Sequence, residues 1–186
     1  MSIRIAGEAD VAAMLAIYRD FVLHTAVSFE YEVPTVEVFT RRLREHMADY
    51  PWLVWEEDGA VLGYAYAGRA FERAAYAWNA EISCYLDASI RGRGIGRRLY
   101  AAIEAILTAQ GCRKVFAVVT SANGPSVAFH ETLGYRRTAV FPQVGFKLGQ
   151  WYDVIWLEKP LQSLGAPAEF PKSWRMIENV TRYFSP

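Results

Sequence analysis

Between residues 91 and 98 the chain reads Arg-Gly-Arg-Gly-Ile-Gly-Arg-Arg, and few stretches restrict a fold as tightly. An apolar run, Ile82-Ser83-Cys84-Tyr85-Leu86-Asp87, precedes it and reads as a strand; an amphipathic run from Leu99 to Gln110 follows and reads as a helix. Strand, glycine turn and helix N-terminus in that order build an anion site. The first-turn N–H groups lack intrahelical partners, and the macrodipole adds partial positive charge there. Gly92, Gly94 and Gly96 carry no Cβ, so the loop can take unusual dihedrals and a ligand can approach its backbone. Arg91, Arg93, Arg97 and Arg98 add full charges suited to a polyphosphate. Spacing then selects the ligand. A dinucleotide fingerprint fails because its third glycine position holds Arg97, with Gly96 one residue early; a Walker loop fails for want of Gly-Lys-Ser or Gly-Lys-Thr. What remains is Arg-x-x-Gly-x-Gly, from Arg91 through Gly94 to Gly96.

The rest of the composition bounds the setting of that turn. At 186 residues and 53% hydrophobic content the chain can bury a real core in one domain. Twenty basic residues balance twenty acidic ones, which argues against nucleic acid as the main partner; the arginines at 91 to 98 are a local patch. No window approaches the roughly 18 apolar residues of a membrane span, so no membrane partner is expected. The two cysteines, Cys84 and Cys112, have no CxxC or metal-ligand neighbourhood. No disulfide framework and no metal site follow, and a reducing cytoplasm fits.

Residues 2 to 6 read as a first strand, and Val11, Met14, Leu15, Tyr18, Phe21 and Val22 recur at helical spacing after an acidic start at Asp10. His24 to Pro34 reads as a loop. A second helix opens at Pro34-Thr35 with Val38, Leu43 and Met47 as its buried stripe. Trp52 to Glu56 and Val61 to Tyr66 bracket Asp58-Gly59, a hairpin signal. Residues 69 to 76 are an excursion before a strand from about Trp78 to Leu86. After the glycine turn and third helix come a strand at Lys114 to Val119, a short helix from Asn123-Gly124-Pro125-Ser126, and strands at Tyr135 to Val140 and Trp151 to Leu157. This β-α-α-β-β-β-α-β-α-β-β order mixes its elements too much for a doubly wound sheet and is too strand-rich for a bundle.

Several separated stretches carry a resemblance. Tyr50 to Val54, Gly63 to Gly68, Arg91 to Gly96, Asn123 to Tyr135 and Gly145 to Val154 resemble, in the same order over residues 3 to 160, the phosphinothricin and methionine sulfoximine N-acetyltransferases within the GNAT superfamily. The resemblance implies an α/β fold, α+β in its mixing, with a twisted mixed central sheet of about seven strands flanked by helices. It implies a GNAT domain over 1–160 and a tail over 161–186 packed on the surface or at a dimer interface. It also implies acetyl-CoA as acetyl donor, a small-molecule amine acceptor, a homodimer, and direct transfer in a ternary complex to the α-amine of an amino-acid-like acceptor. Other amines (a polyamine, an aminoglycoside, a protein N-terminus) and a non-catalytic acyl-CoA-binding domain are the alternatives.

Such a transfer needs a base for the ammonium, polarisation of the thioester and an acid for the thiolate. Glu81 sits in an apolar strand, where burial would raise its pKa toward that of a useful base; a Glu at an open strand end, paired with an arginine, is the other reading of the residue. By resemblance it takes the place of the catalytic glutamate. His130 falls seven residues after Asn123, where relatives place the group assigned to the thiolate; an imidazolium of pKa near 6.5 could protonate a thiolate near 8.5, and a base role beside Glu81 stays open. Asn123 can cap the Ser126 helix and, by resemblance, bind the pantetheine arm, as would the backbone of Cys84, Tyr85 and Leu86. The turn from Arg91 through Gly92, Arg93, Gly94, Ile95 and Gly96 to Arg97, with Ser126, completes the cofactor set. Arg73 and Tyr76 match acceptor positions, with Phe29, Glu30 and Tyr31 placed to close over them. Phe71 stands where the herbicide-detoxifying members carry lysine.

Overall fold

A computed structural model describes residues 1–163, 165–166 and 169–184. One seven-stranded sheet organises the chain: β1 (Ser2–Ile5), β2 (Trp52–Glu57), β3 (Ala60–Arg69), β4 (Asn79–Leu86), β5 (Lys114–Thr120), β6 (Arg136–Lys147) and β7 (Gln150–Pro160), in the order β1-β2-β3-β4-β5-β7-β6. Helices α1 (Val11–His24) and α2 (Val36–Asp49) cover one face and α3 (Ile95–Gln110) the other, while α4 (Gly124–Thr132) follows β5. The faces are read from side chains: Tyr18 of α1 meets Tyr85 of β4 at 5.0 Å and Phe39 of α2 meets Tyr64 of β3 at 6.3 Å, whereas Arg98 of α3 lies over Trp55 of β2. The chain has the mixed α/β sheet expected of it.

Local chemistry explains most boundaries. Thr35 caps α2 by accepting a hydrogen bond from the Val38 N–H at 3.2 Å. Asp58 and Gly59 both take positive φ, 51° and 81°, as a tight hairpin between β2 and β3 requires. Gly94 and Gly111 bracket α3 in left-handed conformations. That first glycine moves the start of α3 a full turn ahead of Leu99, so Ile95, Gly96, Arg97 and Arg98 are helical. Two further differences concern packing. The buried stripe of α2 is Phe39, Leu43 and Met47, with Val38 only half-buried beside it. β6 runs on to Lys147 rather than ending at Val140, because register shifts at Arg137/Ala139 and Phe141/Gly145 carry the strand past Pro142.

The feature that positions the site is a break in pairing. All neighbouring strands are antiparallel except β4 and β5, which pair in parallel only at Asn79–Lys114, Ala80–Val115 and Glu81–Phe116. Beyond Glu81 the two strands part. β4 keeps β3 on its other side as far as Leu86, so its edge from Ile82 onward is open toward β5. The described part of the tail lies against α2 and α3: Trp174 is buried, its indole N–H donating to the Met47 carbonyl at 2.9 Å, and Gln110 donates to the carbonyls of Asp49 and Lys172.

Candidate active site

Where β4 and β5 part, a cleft of about 520 Å³ opens. Ile82 to Leu86 form one wall and Ala117 to Thr120 the other; the glycine turn closes one end, and Asn123, Ser126, Phe129 and His130 of the α4 region close the side. Phe21 and Val27, from α1 and the loop after it, complete the wall.

The glycine turn has the conformation its sequence calls for. Gly92 and Gly94 take φ of +74° and +78° with open space at their Cβ positions, and a Cβ on Gly96 would approach the Phe129 ring at 3.3 Å. The helix N-terminus therefore faces the cleft with its free N–H groups uncovered. The four arginines divide. Arg91 and Arg97 stand on the cleft wall: Arg91 donates to the Leu86 carbonyl at 3.1 Å and lies over the Phe21 ring, and Arg97 donates to the Thr132 hydroxyl at 3.3 Å. Arg93 and Arg98 turn away. Arg93 is bound to Glu57 at 2.7 Å, and Arg98 lies 4.6 Å over Trp55. At Arg93 only the backbone is left for a phosphate, because a carboxylate from the neighbouring hairpin already satisfies the side chain; the expectation of four phosphate-facing arginines is corrected to two.

Glu81 marks the point of parting. It is half-buried, and burial alone raises its carboxyl above the usual range; it has no ion-pair partner among the described residues. Tyr66, across from Ser83 on β3, is within electrostatic reach of it. His130 is buried, with both ring nitrogens engaged: Nδ1 is 2.7 Å from the Ser126 carbonyl and Nε2 is 2.7 Å from the Tyr100 hydroxyl. A carbonyl only accepts, so Nδ1 carries the hydrogen and Nε2 receives the Tyr100 O–H. Burial lowers the His130 pKa from its ordinary value of 6.5. Burial thus favours a neutral ring hydrogen-bonded to a phenol over the imidazolium considered from the ordinary pKa.

Asn123 caps α4, its side-chain oxygen accepting from the Ser126 N–H at 3.3 Å. Cys84, Tyr85 and Leu86 line the cleft, but the Leu86 carbonyl is already taken by Arg91. Phe29, Arg73 and Tyr76 do not line it. Arg73 is exposed at the start of a short 3-10 turn, Ala74–Tyr76, and the Tyr76 ring packs 5.0 Å from Phe71. Phe29 presses on Gly145, where a Cβ would stand 2.1 Å from its ring. Among the described residues no group of three or more His, Cys, Asp or Glu can hold a metal, and no helix is long and apolar enough to cross a membrane.

Sequence reasoning missed Tyr100 and Lys147, and at Glu30 it missed the partners Arg42 and Tyr18. Tyr100 lies on the apolar stripe of α3 with Leu99 and Ile103, and the one available signal was that a buried phenol needs a partner. Lys147 is buried at the end of β6, its ammonium donating to the carbonyls of Val22 at 2.7 Å and Ser28 at 2.5 Å; a lysine in a strand reads as a solvated edge. Glu30 joins Arg42 at 2.6 Å and accepts from the Tyr18 hydroxyl at 2.9 Å. Together these tie residues 25–31 across the α1/α2 face of the sheet.

Residues 3–156 match the acetyltransferase (GNAT) domain family. The chain is 36% identical to phosphinothricin N-acetyltransferase of Streptomyces viridochromogenes, over 98% of this chain and 96% of that one. It is 37% identical to the L-methionine sulfoximine/L-methionine sulfone acetyltransferase of Salmonella typhimurium, over 90% of this chain and 98% of that one. Among solved structures, a GNAT phosphinothricin acetyltransferase from Sinorhizobium meliloti in complex with acetyl-CoA superposes with a TM-score of 0.86 at 33% identity, covering 98% of each chain.

Proposed function

Because this chain belongs to the GNAT acetyltransferase family, we propose that it acetylates the α-amine of a small amino-acid-like acceptor of the phosphinothricin, methionine sulfoximine or methionine sulfone kind, with donor and acceptor bound together. The chain is an N-acetyltransferase, and acetyl-CoA is its donor. The observation that carries the reading is the parting of β4 and β5 immediately after Glu81, with an anion-binding helix N-terminus at one end of the opening.

The chain's residues fit that donor. The N–H groups of Gly92, Arg93, Gly94, Ile95 and Gly96 and the side chains of Arg91 and Arg97 hold its pyrophosphate. The open backbone edge at Cys84 and Tyr85, with Asn123 and Ser126 opposite, holds its extended arm. When bound, acetyl-CoA supplies an acetyl group activated as a thioester. Glu81 takes the proton from the acceptor's ammonium, its pKa raised by burial toward the value a base needs. His130 fixes the Tyr100 hydroxyl at the inner wall of the cleft. Direct transfer is supported by the cysteines: burial pushes the Cys84 thiol up to about 12, so it offers no thiolate to carry the acetyl group. Arg73, Tyr76 and Phe29, which lie outside the cleft, are assigned to the acceptor on the resemblance alone.

Release of CoA thiol from acetyl-CoA, measured with methionine sulfoximine, methionine sulfone and phosphinothricin, tests the reading. Acceptor-dependent release is expected; tight CoA binding with no release for any of the three would discard the acceptor class. The division among the arginines gives a sharper outcome. Arg97→Ala is expected to raise the KM for acetyl-CoA about 10-fold, as loss of a charge-assisted hydrogen bond does, whereas Arg93→Ala changes it less than about 3-fold.

We place the catalytic unit in residues 1–160, with the described part of the segment from 161 lying against α2 and α3. A homodimer is supported by the β6/β7 hairpin, which leaves Val140, Phe141, Val144 and Phe146 of the edge strand and Trp151 of its neighbour exposed; apolar surface at a sheet edge invites a second copy. Light scattering on wild type and Trp151→Glu is expected to give a dimer and a monomer respectively.

A further inference from the structure

We propose that Thr120, at the end of β5, binds the extended arm of the donor through its hydroxyl, which donates to an amide carbonyl of that arm. The inference rests on the reading that the arm lies between β4 and β5.

Burial singles the residue out. Thr120 is 6% exposed, and its hydroxyl is buried with no hydrogen-bond partner among the described residues. A buried hydroxyl gives up water and recovers that loss only through another partner, so such groups are uncommon in a folded chain. The polar groups nearest in sequence are engaged elsewhere. The Thr120 carbonyl accepts from the Asn123 N–H at 2.9 Å, and the Ser121 hydroxyl accepts from the Asp153 N–H at 3.2 Å. Both bonds fix the turn that leads from β5 toward α4, and neither uses the Thr120 hydroxyl.

Position supplies a partner. Thr120 lines the cleft, on a wall whose other side chains, Ala117, Val118 and Val119, are apolar. Phe116 is the last residue of β5 to pair with β4, opposite Glu81. Thr120 lies four residues beyond it, about 13 Å along the strand, which sets it level with Tyr85 and well away from the proposed base. The arm of acetyl-CoA carries two amides, and an extended chain directs its amide groups alternately to its two edges. Groups turned toward β4 meet the open backbone edge of that strand. Groups turned the other way meet β5 and the start of α4, where the Asn123 oxygen is already taken by the Ser126 N–H. A rotation of Thr120 about χ1 exchanges its methyl and hydroxyl positions, so the hydroxyl can turn to the arm without displacing the strand.

The same hydroxyl therefore has effects of opposite sign. Unmatched, it costs the chain stability; bonded to the arm, it contributes affinity. Thr120→Val keeps the shape and removes the hydroxyl. Calorimetric titration compares CoA with 3′-phospho-ADP, the same nucleotide without the arm. Thr120→Val is expected to weaken CoA binding about 5- to 10-fold, the worth of one hydrogen bond, and to leave 3′-phospho-ADP within about 2-fold of wild type. Thr120→Ser, which retains the hydroxyl, is expected to bind CoA within about 3-fold of wild type. In urea without ligand, Thr120→Val is expected to unfold at a midpoint no lower than that of wild type. Equal CoA affinity in wild type and Thr120→Val overturns the assignment, as does equal weakening of CoA and 3′-phospho-ADP. A lowered midpoint also overturns it, by showing that the hydroxyl is already matched in the chain alone. Thr120→Ala lacks the hydroxyl too and must reproduce the contrast between the two ligands. If wild type binds 3′-phospho-ADP as tightly as CoA, the arm has no place between the strands and the underlying reading falls with the assignment.

Discussion

Glu81→Gln is expected to lower kcat/KM for the acceptor by about 10²–10⁴, the range of a positioned general base, while the KM for acetyl-CoA stays near its wild-type value. The amide keeps the shape of the side chain and removes its basicity. The same residue sets the acid limb of the pH profile. The active form is the carboxylate, and burial raises its pKa above the usual 4.5, so kcat/KM is lost as pH falls through that raised value. The limb therefore sits at higher pH than an exposed carboxylate would give, and it is absent from the residual activity of the variant. Stability moves the other way. A carboxyl with a raised pKa binds its proton more tightly in the folded chain than in the unfolded one, so ionised Glu81 destabilises the fold at neutral pH. Urea denaturation at pH 7 is expected to show Glu81→Gln at least as stable as wild type. A variant that loses activity because it unfolds would contradict the catalytic reading.

The second large effect is expected at Lys147. Its ammonium bonds the Val22 carbonyl, one of the unpaired carbonyls in the last turn of α1, and the Ser28 carbonyl of the following loop. A cation at a helix C-terminus is favoured by the macrodipole, and the two bonds join that helix end to β6. Phe29 against Gly145 and the Tyr31 hydroxyl donating to the Phe146 carbonyl lie beside them. Lys147→Met keeps the length of the side chain and leaves two buried carbonyls unpaired. Each costs roughly 1–3 kcal/mol, and relief from burying a charge offsets part of this; a net loss of about 2 kcal/mol is expected in denaturant unfolding. Because Phe29, assigned to the acceptor, lies on the loop being held, the acceptor KM is expected to rise several-fold more than that of acetyl-CoA. An unchanged unfolding midpoint would show that the two carbonyls find other partners.

The legible features were those governed by short stretches of chain. Asp58-Gly59 made its hairpin, Thr35 its cap, and Asn123 its hydrogen bond to the α4 N-terminus, because each depends on groups within a few residues. The errors came where a neighbour far along the chain decides. Periodicity put Val38 in the α2 stripe, whereas packing on Trp52 and Tyr64 selected Phe39. Arg93 and Arg98 looked equivalent to Arg91 and Arg97 until Glu57 and Trp55, some forty residues earlier, drew them off the cleft. The sixth strand was expected only as far as Val140, yet pairing with β7 resumes at Gly145, beyond Pro142.

What the sequence determined by itself was the glycine turn. Positive φ at Gly92 and Gly94 and the tight Gly96 approach to Phe129 are satisfied by glycine and penalised for other residues, so the turn's conformation is written in its residues. Tertiary structure alone decided the opening between β4 and β5, the two arginines that face it, the raised pKa of Glu81 and the lowered pKa of His130. Strand partners, burial and counter-ions all come from distant segments, and a side chain's charge and direction depend on what surrounds it rather than on what precedes it.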